Sequence, residues 1–380
     1  MKQIIKYAAL LFALILAASI IGGCLTLGVS LVHGIQDELS YRDEFDGEEN
    51  NGIWYRDDNG DVIFLGMHFG SDSGEVKSGS EQFDAAEISS LDINVGSAEL
   101  VVEVADSDVI LVEYENIPVE YEFFIDDETL VIDREDSINF IWNVSFTETP
   151  KIHVSVPATQ VFDKVNVDKG SGSAKLIGLL VEDFNIDNGS GGLGISNVTA
   201  EELSVDSGSG GVNISDTKAK KSVFDSGSGS FIVKNCELGV TSMDSGSGTV
   251  MMEDIIAKDM RTEAGSGRVE ISGILTGKCS FESGSGSMNV VVYGNEEDYN
   301  YRTDMGSGSF YLNGKKADKN YNKDNKRAEY LLTFDAGSGR VSLEFDETKT
   351  VTVDSTPENS SDVTPTDTPD NTQNGGSYER

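Results

Sequence analysis

Three regularities predict an all-β fold: a single-chain parallel β-solenoid of about 19 residues per coil. A Gly-Ser-Gly triplet begins at Gly170, Gly189, Gly208, Gly227, Gly246, Gly265 and Gly284 at one constant interval, and looser copies follow at Gly306 and Gly337 after longer ones. Four residues after each first glycine comes an apolar side chain, from Ala174 and Leu193 through Phe231 to Val341. A second apolar column lies six residues after it, from Leu176 and Ile195 through Val233 to Leu343, and the position between the columns is mostly polar. Such alternation is the period of a strand with one buried face. No proline falls between Pro157 and Pro357, as uninterrupted ladders require, because proline removes a donor.

A noisier apolar pair follows later in each coil: Phe184 with Ile186, Leu203 with Val205, Cys279 with Phe281, with Ser222 and Thr241 as polar exceptions. Each coil therefore reads as two short strands joined by two turns, one of them built by Gly-Ser-Gly. A lone coil buries too few apolar side chains to offset the entropy of ordering its backbone. Stacking in parallel register at about 4.8 Å supplies the missing ladder, and nine coils would make a rod about 40 Å long.

Taken in chain order, residues 1–36 read as a membrane anchor. An uncharged run opens at Tyr7 and closes at Val32, preceded by Lys2 and Lys6 and followed by Asp37 and Glu38. As a helix it would extend about 39 Å, enough to cross a bilayer. The flanking charges would keep the N-terminus inside and place the rest of the chain outside the cytoplasm. Two alternatives stand beside this anchor. One is a lipoprotein attached at Cys24, for which Ile21-Gly22-Gly23-Cys24 roughly matches the small residues required before the cysteine, although Leu25 and the residues after it stay apolar. The other is a cleaved signal peptide, whose apolar core is usually shorter. Residues 37–90 form an acidic membrane-proximal segment, in which Ile53-Trp54-Tyr55 and Val62-Ile63-Phe64-Leu65 flank Asn59-Gly60 as a hairpin would.

The solenoid is expected over residues 91–345. It begins with alternating runs at Leu91, Leu100, Val109, Leu130 and Lys151, and Gly96-Ser97 reads as an early, degenerate triplet. Residues 315–326, rich in Lys and Asn, read as a loop inserted between the last two coils. Residues 346–380, dominated by Thr, Ser, Asp, Asn and Pro, are expected to be a disordered tail. Cys236 and Cys279 sit two coils apart at different points of the repeat, so they read as small core residues without a disulfide.

These motifs resemble the DUF4097 family of adhesin-like bacterial repeat proteins. The resemblance is carried by Ile152-His153-Val154-Ser155-Val156-Pro157, by Val165-Asn166-Val167 leading into Asp168-Lys169-Gly170-Ser171-Gly172, and by the serial Asp-Ser-Gly-Ser-Gly coils. It spans roughly residues 88–344. It implies a β-solenoid, often tethered to bacterial membranes, with some members tied to envelope-stress responses, and no catalytic residues to carry over.

Charge restricts the partners. With 66 acidic and 28 basic residues the formal net charge is −38. Such a surface repels nucleic acid and anionic headgroups and attracts cations and cationic peptides. One acid recurs two residues before each triplet: Asp168, Asp187, Asp206, Asp225, Asp244, Glu263, Glu282, Asp304 and Asp335. Stacked coils would line these carboxylates up about 5 Å apart and pointing outward, an unfavourable arrangement that something must offset. One reading has each acid cap its turn by accepting from the Gly-Ser-Gly backbone. The other has the row hold calcium, the one cofactor the sequence brings into view, although calcium wants six to eight oxygen ligands.

Enzyme signals are weak. Gly189-Ser190-Gly191-Gly192-Leu193-Gly194 matches a dinucleotide fingerprint by letter, but it is one copy of a repeated turn and opens no helix. His33, His68 and His153 have no metal-binding partner at close spacing. The expected function is a non-catalytic, membrane-tethered cell-envelope interaction protein whose acidic face meets envelope polymer, cationic peptide or a membrane protein. The alternative is a structural or regulatory partner in envelope-stress signalling, with a carbohydrate-active enzyme on a β-helix as a distant third.

Overall fold

The computed structural model describes residues 54–56, 62–64, 67–69, 76–134 and 149–351. The expected anchor, Cys24 and the tail beyond residue 351 lie outside the described residues, and no helix among those described is long and apolar enough to cross a membrane. The chain divides into two units. In the first, Trp54–Arg56 pairs antiparallel with Val62–Phe64, the hairpin expected around Asn59-Gly60, and Met67–Phe69 adds a third strand.

The second unit is all-β and solenoid-like. From Val161 to Ser245 the repeats alternate one long strand with one short strand, as in Leu180–Asn188 followed by Leu193–Ser196, and further on the two merge in Thr249–Ala264. Long strands pair in parallel with long, and short with short, one repeat further on: Phe184 faces Leu203, and Leu193 faces Val212. The apolar columns point inward as expected. Leu193, Phe231, Val233 and Met288 are among those buried, and Ser222 and Thr241 are buried with them, each hydroxyl donating to the Leu238 carbonyl. Leu312, on the terminal coil, is only half-buried. Cys236 and Cys279 are free thiols in the core, and burial pushes them up to about 12 and about 11.

The turns explain the glycines. The backbone ladder does not stop at the strand ends, since Gly208 N donates to Asn188 O and Ser209 N to Gly189 O, at 3.0 and 3.1 Å. Successive turns are thereby stacked at ladder distance. A Cβ on the second glycine of any triplet would fall 1.7–2.3 Å from a carbonyl oxygen of the neighbouring coil. The requirement is clearance rather than unusual dihedral angles.

The second turn has its own repeat, which the sequence reading did not pick out. Gly178, Asn197, Asp216, Asn235 and Asp254 follow one another at the same coil interval, with φ between +50° and +76°. Gly, Asn and Asp are the residues that tolerate this left-handed region at least cost.

Both ends of the stack break chain order. Ser90–Gly96 and Glu99–Ala105 form an early coil, and Gly170 N donates to Gly96 O at 2.7 Å, as a degenerate triplet at Gly96 requires. The next strands in sequence do not continue upward from it. Thr129–Arg134 and Lys151–Pro157 pair in parallel on its outer side. Tyr121–Asp126, Val109–Pro118 and Val76–Asp84 then close that end in antiparallel fashion.

At the other end Lys278–Ser283 pairs with Tyr330–Ala336, which pairs in turn with Tyr299–Met305. The coil of Gly337 therefore inserts between those of Gly284 and Gly306. The stretch from residue 315 to 326 is correspondingly not a loop between neighbouring rungs. It is a strap over the terminal rung, with Lys315–Ala317 antiparallel to Ser309–Leu312 and Asn322–Lys323 antiparallel to Tyr299–Met305. Antiparallel capping of both ends occupies edge donors and acceptors that would otherwise recruit other chains.

Candidate functional site

The acidic column forms as the spacing implies. Asp168, Asp187, Asp206, Asp225 and Asp244 are direct partners on successive strands. Glu263, Glu282, Asp335 and Asp304 continue the row, with Asp335 ahead of Asp304 because of the inserted coil. At its start Asp168 faces Asn94. All nine side chains lie on the outer surface, Glu263 half-exposed and the others exposed. Asp225, Asp244, Glu263, Glu282 and Asp335 line an open groove of about 570 Å³ alongside the triplets.

Turn capping by these acids is not what the structure shows. The turn N–H groups donate to carbonyls of the neighbouring coil: Gly227 to Ser207, Ser228 to Gly208. The ladder has already taken the donors that a capping carboxylate would need. Nor does the column converge on an ion. Among the described residues no three acidic, His or Cys side chains are grouped to hold a metal, because a parallel ladder sets one carboxylate per rung in a line. Within the column, only Glu263 has an ion-pair partner among the described residues, Arg261 on its own strand. Water and salt are left to offset the repulsion elsewhere.

That repulsion is visible in the proton affinities. Partial burial first, and then the carboxylates one rung away, raise Asp187 above the ordinary carboxylate value, with Asp168 and Asp206 as its neighbours. Asp225 is raised for the same reasons between Asp206 and Asp244. A carboxyl whose folded value is raised contributes stability below its unfolded value of 3.8 and loses it as pH rises through the folded value. The Asp187→Asn/Asp225→Asn variant should therefore be more stable than the wild type at neutral pH, and the gap should narrow on mild acidification. Thermal unfolding followed by circular dichroism across pH checks this. A gap that stayed constant with pH would mean the column is not the source.

Directly beneath the column runs a buried polar seam that was not anticipated. Lys169 is almost fully buried, and its Nζ donates to Asn188 Oδ1 at 2.6 Å, while Asn188 Nδ2 donates to Ser207 Oγ at 2.8 Å. Burial lowers the Lys169 ammonium below its ordinary value. The seam gives the first turns of the repeat side chains of unlike length at equivalent positions, which disfavours a slip by one coil.

The other sequence candidates resolve simply. Leu193–Ser196, after the fingerprint-like Gly189 to Gly194, is a strand. His153, without a partner nearby in sequence, lies between Glu103 at 3.0 Å and Glu113 at 3.7 Å. The strands carrying those glutamates reach it from the parallel and the antiparallel side, a meeting that chain order conceals.

The family described as Toastrack DUF4097 matches residues 88–328. Among solved structures, a "putative lipid binding protein" from Parabacteroides distasonis ATCC 8503 is 17% identical, over 71% of this chain and 98% of that one, with a TM-score of 0.47. A "putative adhesin" from the same organism is 14% identical, over 71% and 98%, with a TM-score of 0.43. A "putative adhesin" from Parabacteroides merdae ATCC 43184 is 12% identical, over 71% and 97%, also with a TM-score of 0.43. No curated protein matches the chain.

Proposed function

The chain belongs to the Toastrack DUF4097 family, and we propose that it is a non-catalytic interaction protein of the cell envelope. In this reading residues 7–32 hold it in the membrane, with lipid attachment at Cys24 as the alternative, and the solenoid stands outside the cytoplasm. Its acidic column is the working surface and takes a cationic ligand, a basic peptide or a basic segment of an envelope protein.

The observation that carries this reading is the outward row of carboxylates at one-rung spacing. Repulsion along the row is relieved by any ligand that lays positive charges beside it. An extended peptide advances about 3.3 Å per residue, so its cations could meet the carboxylates over several rungs. Each exposed pair adds little, but several in series add up.

The experiment is binding of a fluorescent oligolysine to the full chain in lipid nanodiscs, at low and high salt. Saturable binding that weakens with salt, and that weakens again when Asp187, Asp206, Asp225 and Asp244 are changed together to Asn, is the expected result. Equal binding by that variant, or none by the wild type at low salt, would end the proposal.

A further inference from the structure

At the strapped end of the solenoid the same turns border a concavity of opposite character. It has a volume of about 860 Å³, and its lining consists of Gly, Ser and Thr from five successive turns together with Arg268, Arg340, Lys316 and Lys319. No acidic residue lines it, on a chain with 66 acids against 28 bases. The acidic groove lies on one flank of the Gly-Ser-Gly ridge and this basic one on the other.

Strand register sets the spacing. Arg268 faces Ser287, Ser287 faces Arg340, and Arg340 faces Ser309. The two arginines thus stand two rungs apart in the stack, about 10 Å at the backbone, with a serine between them and another beyond. Arg340 lies over the Tyr311 ring at 5.0 Å from its centroid, a contact that orients the cation without neutralising it. Arg268 Nη1 is 3.3 Å from the half-exposed Glu270, a weak competitor at the surface. Lys319 Nζ donates to Gly306 O at 3.1 Å and pins the strap at the edge of the concavity. Arg340 enters this row only because its coil inserts ahead of the coil of Ser309.

We propose that this groove is an anion-binding site for a linear phosphate polymer. Arginine forks and serine hydroxyls offer several donors to each oxyanion, and two such stations in a row favour a ligand with repeated charges over a single one. No aromatic residue lines the groove, and the Tyr311 ring beside it carries Arg340 over its face, so the groove offers no stacking platform to a sugar ring. The site is separate from the acidic column and does not depend on the function proposed for it.

The test is fluorescence anisotropy of end-labelled linear polyphosphate with the full chain in nanodiscs of neutral lipid. The main variant is Arg268→Ser/Arg340→Ser, because serine already occupies the same turn position at Ser287 and Ser309. Circular dichroism checks that it keeps its fold. Wild-type binding at low salt, about tenfold weaker in the variant, is expected. The control is Lys220→Gln/Lys221→Gln, which removes two cations paired with Glu201 and Glu202 elsewhere on the solenoid, and it should leave binding unchanged. Absence of wild-type binding, or equal loss in the control, would overturn the site. Tighter binding of polygalacturonate than of polyphosphate would overturn its assignment to phosphate in favour of a carboxylated glycan.

Discussion

Alanine at Gly229 should cost about 3 kcal/mol of stability, the upper end of what overpacking usually inflicts. Its Cβ would sit 1.8 Å from the Gly210 carbonyl oxygen. That oxygen is main chain, in a turn whose Gly210 N–H donates to Gly189 O of the neighbouring coil, so the clash cannot be relieved by turning a side chain. The turn would have to lift off the coil below and give up ladder hydrogen bonds. Gly192 is the internal control, since a Cβ there meets nothing within 4 Å, and Gly192→Ala should change stability by less than about 0.5 kcal/mol. Urea unfolding of both variants beside the wild type decides the matter. Equal midpoints would mean that the turns stack more loosely than the strands.

Loosening the strap should change the association state more than the melting temperature. The Thr303 hydroxyl donates to Lys319 O at 2.9 Å and accepts from Tyr321 N at 2.8 Å. The Tyr321 ring stacks on Tyr301, with centroids 5.7 Å apart. Thr303→Val with Tyr321→Ala removes the hydroxyl that serves both strap groups and the ring that anchors the strap. Together these should weaken its docking by about 2–4 kcal/mol. The core beneath would persist, because the strap opens as a local unit. Tyr299–Met305 and Ser309–Leu312 would then present free parallel edges, and the expected outcome is concentration-dependent self-association in sedimentation velocity. A variant that stays at the wild-type association state while its strap becomes sensitive to protease would show that the bare edge is tolerated.

How far the sequence reaches can be judged position by position. Phe231, Val233 and the other alternating residues announce their burial, because the period of two is a property of the strand itself. The acidic column is legible for the same reason: one residue type at one phase of a fixed repeat must form a row. The role assigned to those acids as turn caps fails because it depends on where the turn donors go, and these are consumed by carbonyls of the preceding coil. The Lys169–Asn188–Ser207 seam and the left-handed Asn/Asp column share the coil period, so a search of every phase for polar and turn-forming residues would have found both. The cluster of Glu103, His153 and Glu113 carries no such signal, since it is assembled by strands laid out of chain order.

From its sequence alone this protein has its repeat length, its inward faces and its charged row, all consequences of local backbone geometry acting on a regular pattern. Rung order at the two ends was decided only in three dimensions. The triplets at Gly284, Gly306 and Gly337 offer the same ladder and nearly the same apolar side chains, so any of them could stack on another by local criteria. Their order, 284 then 337 then 306, is set by which arrangement leaves the strap to cover the last edge. That is a contest between unpaired backbone and paired backbone, settled by segments far apart in the chain.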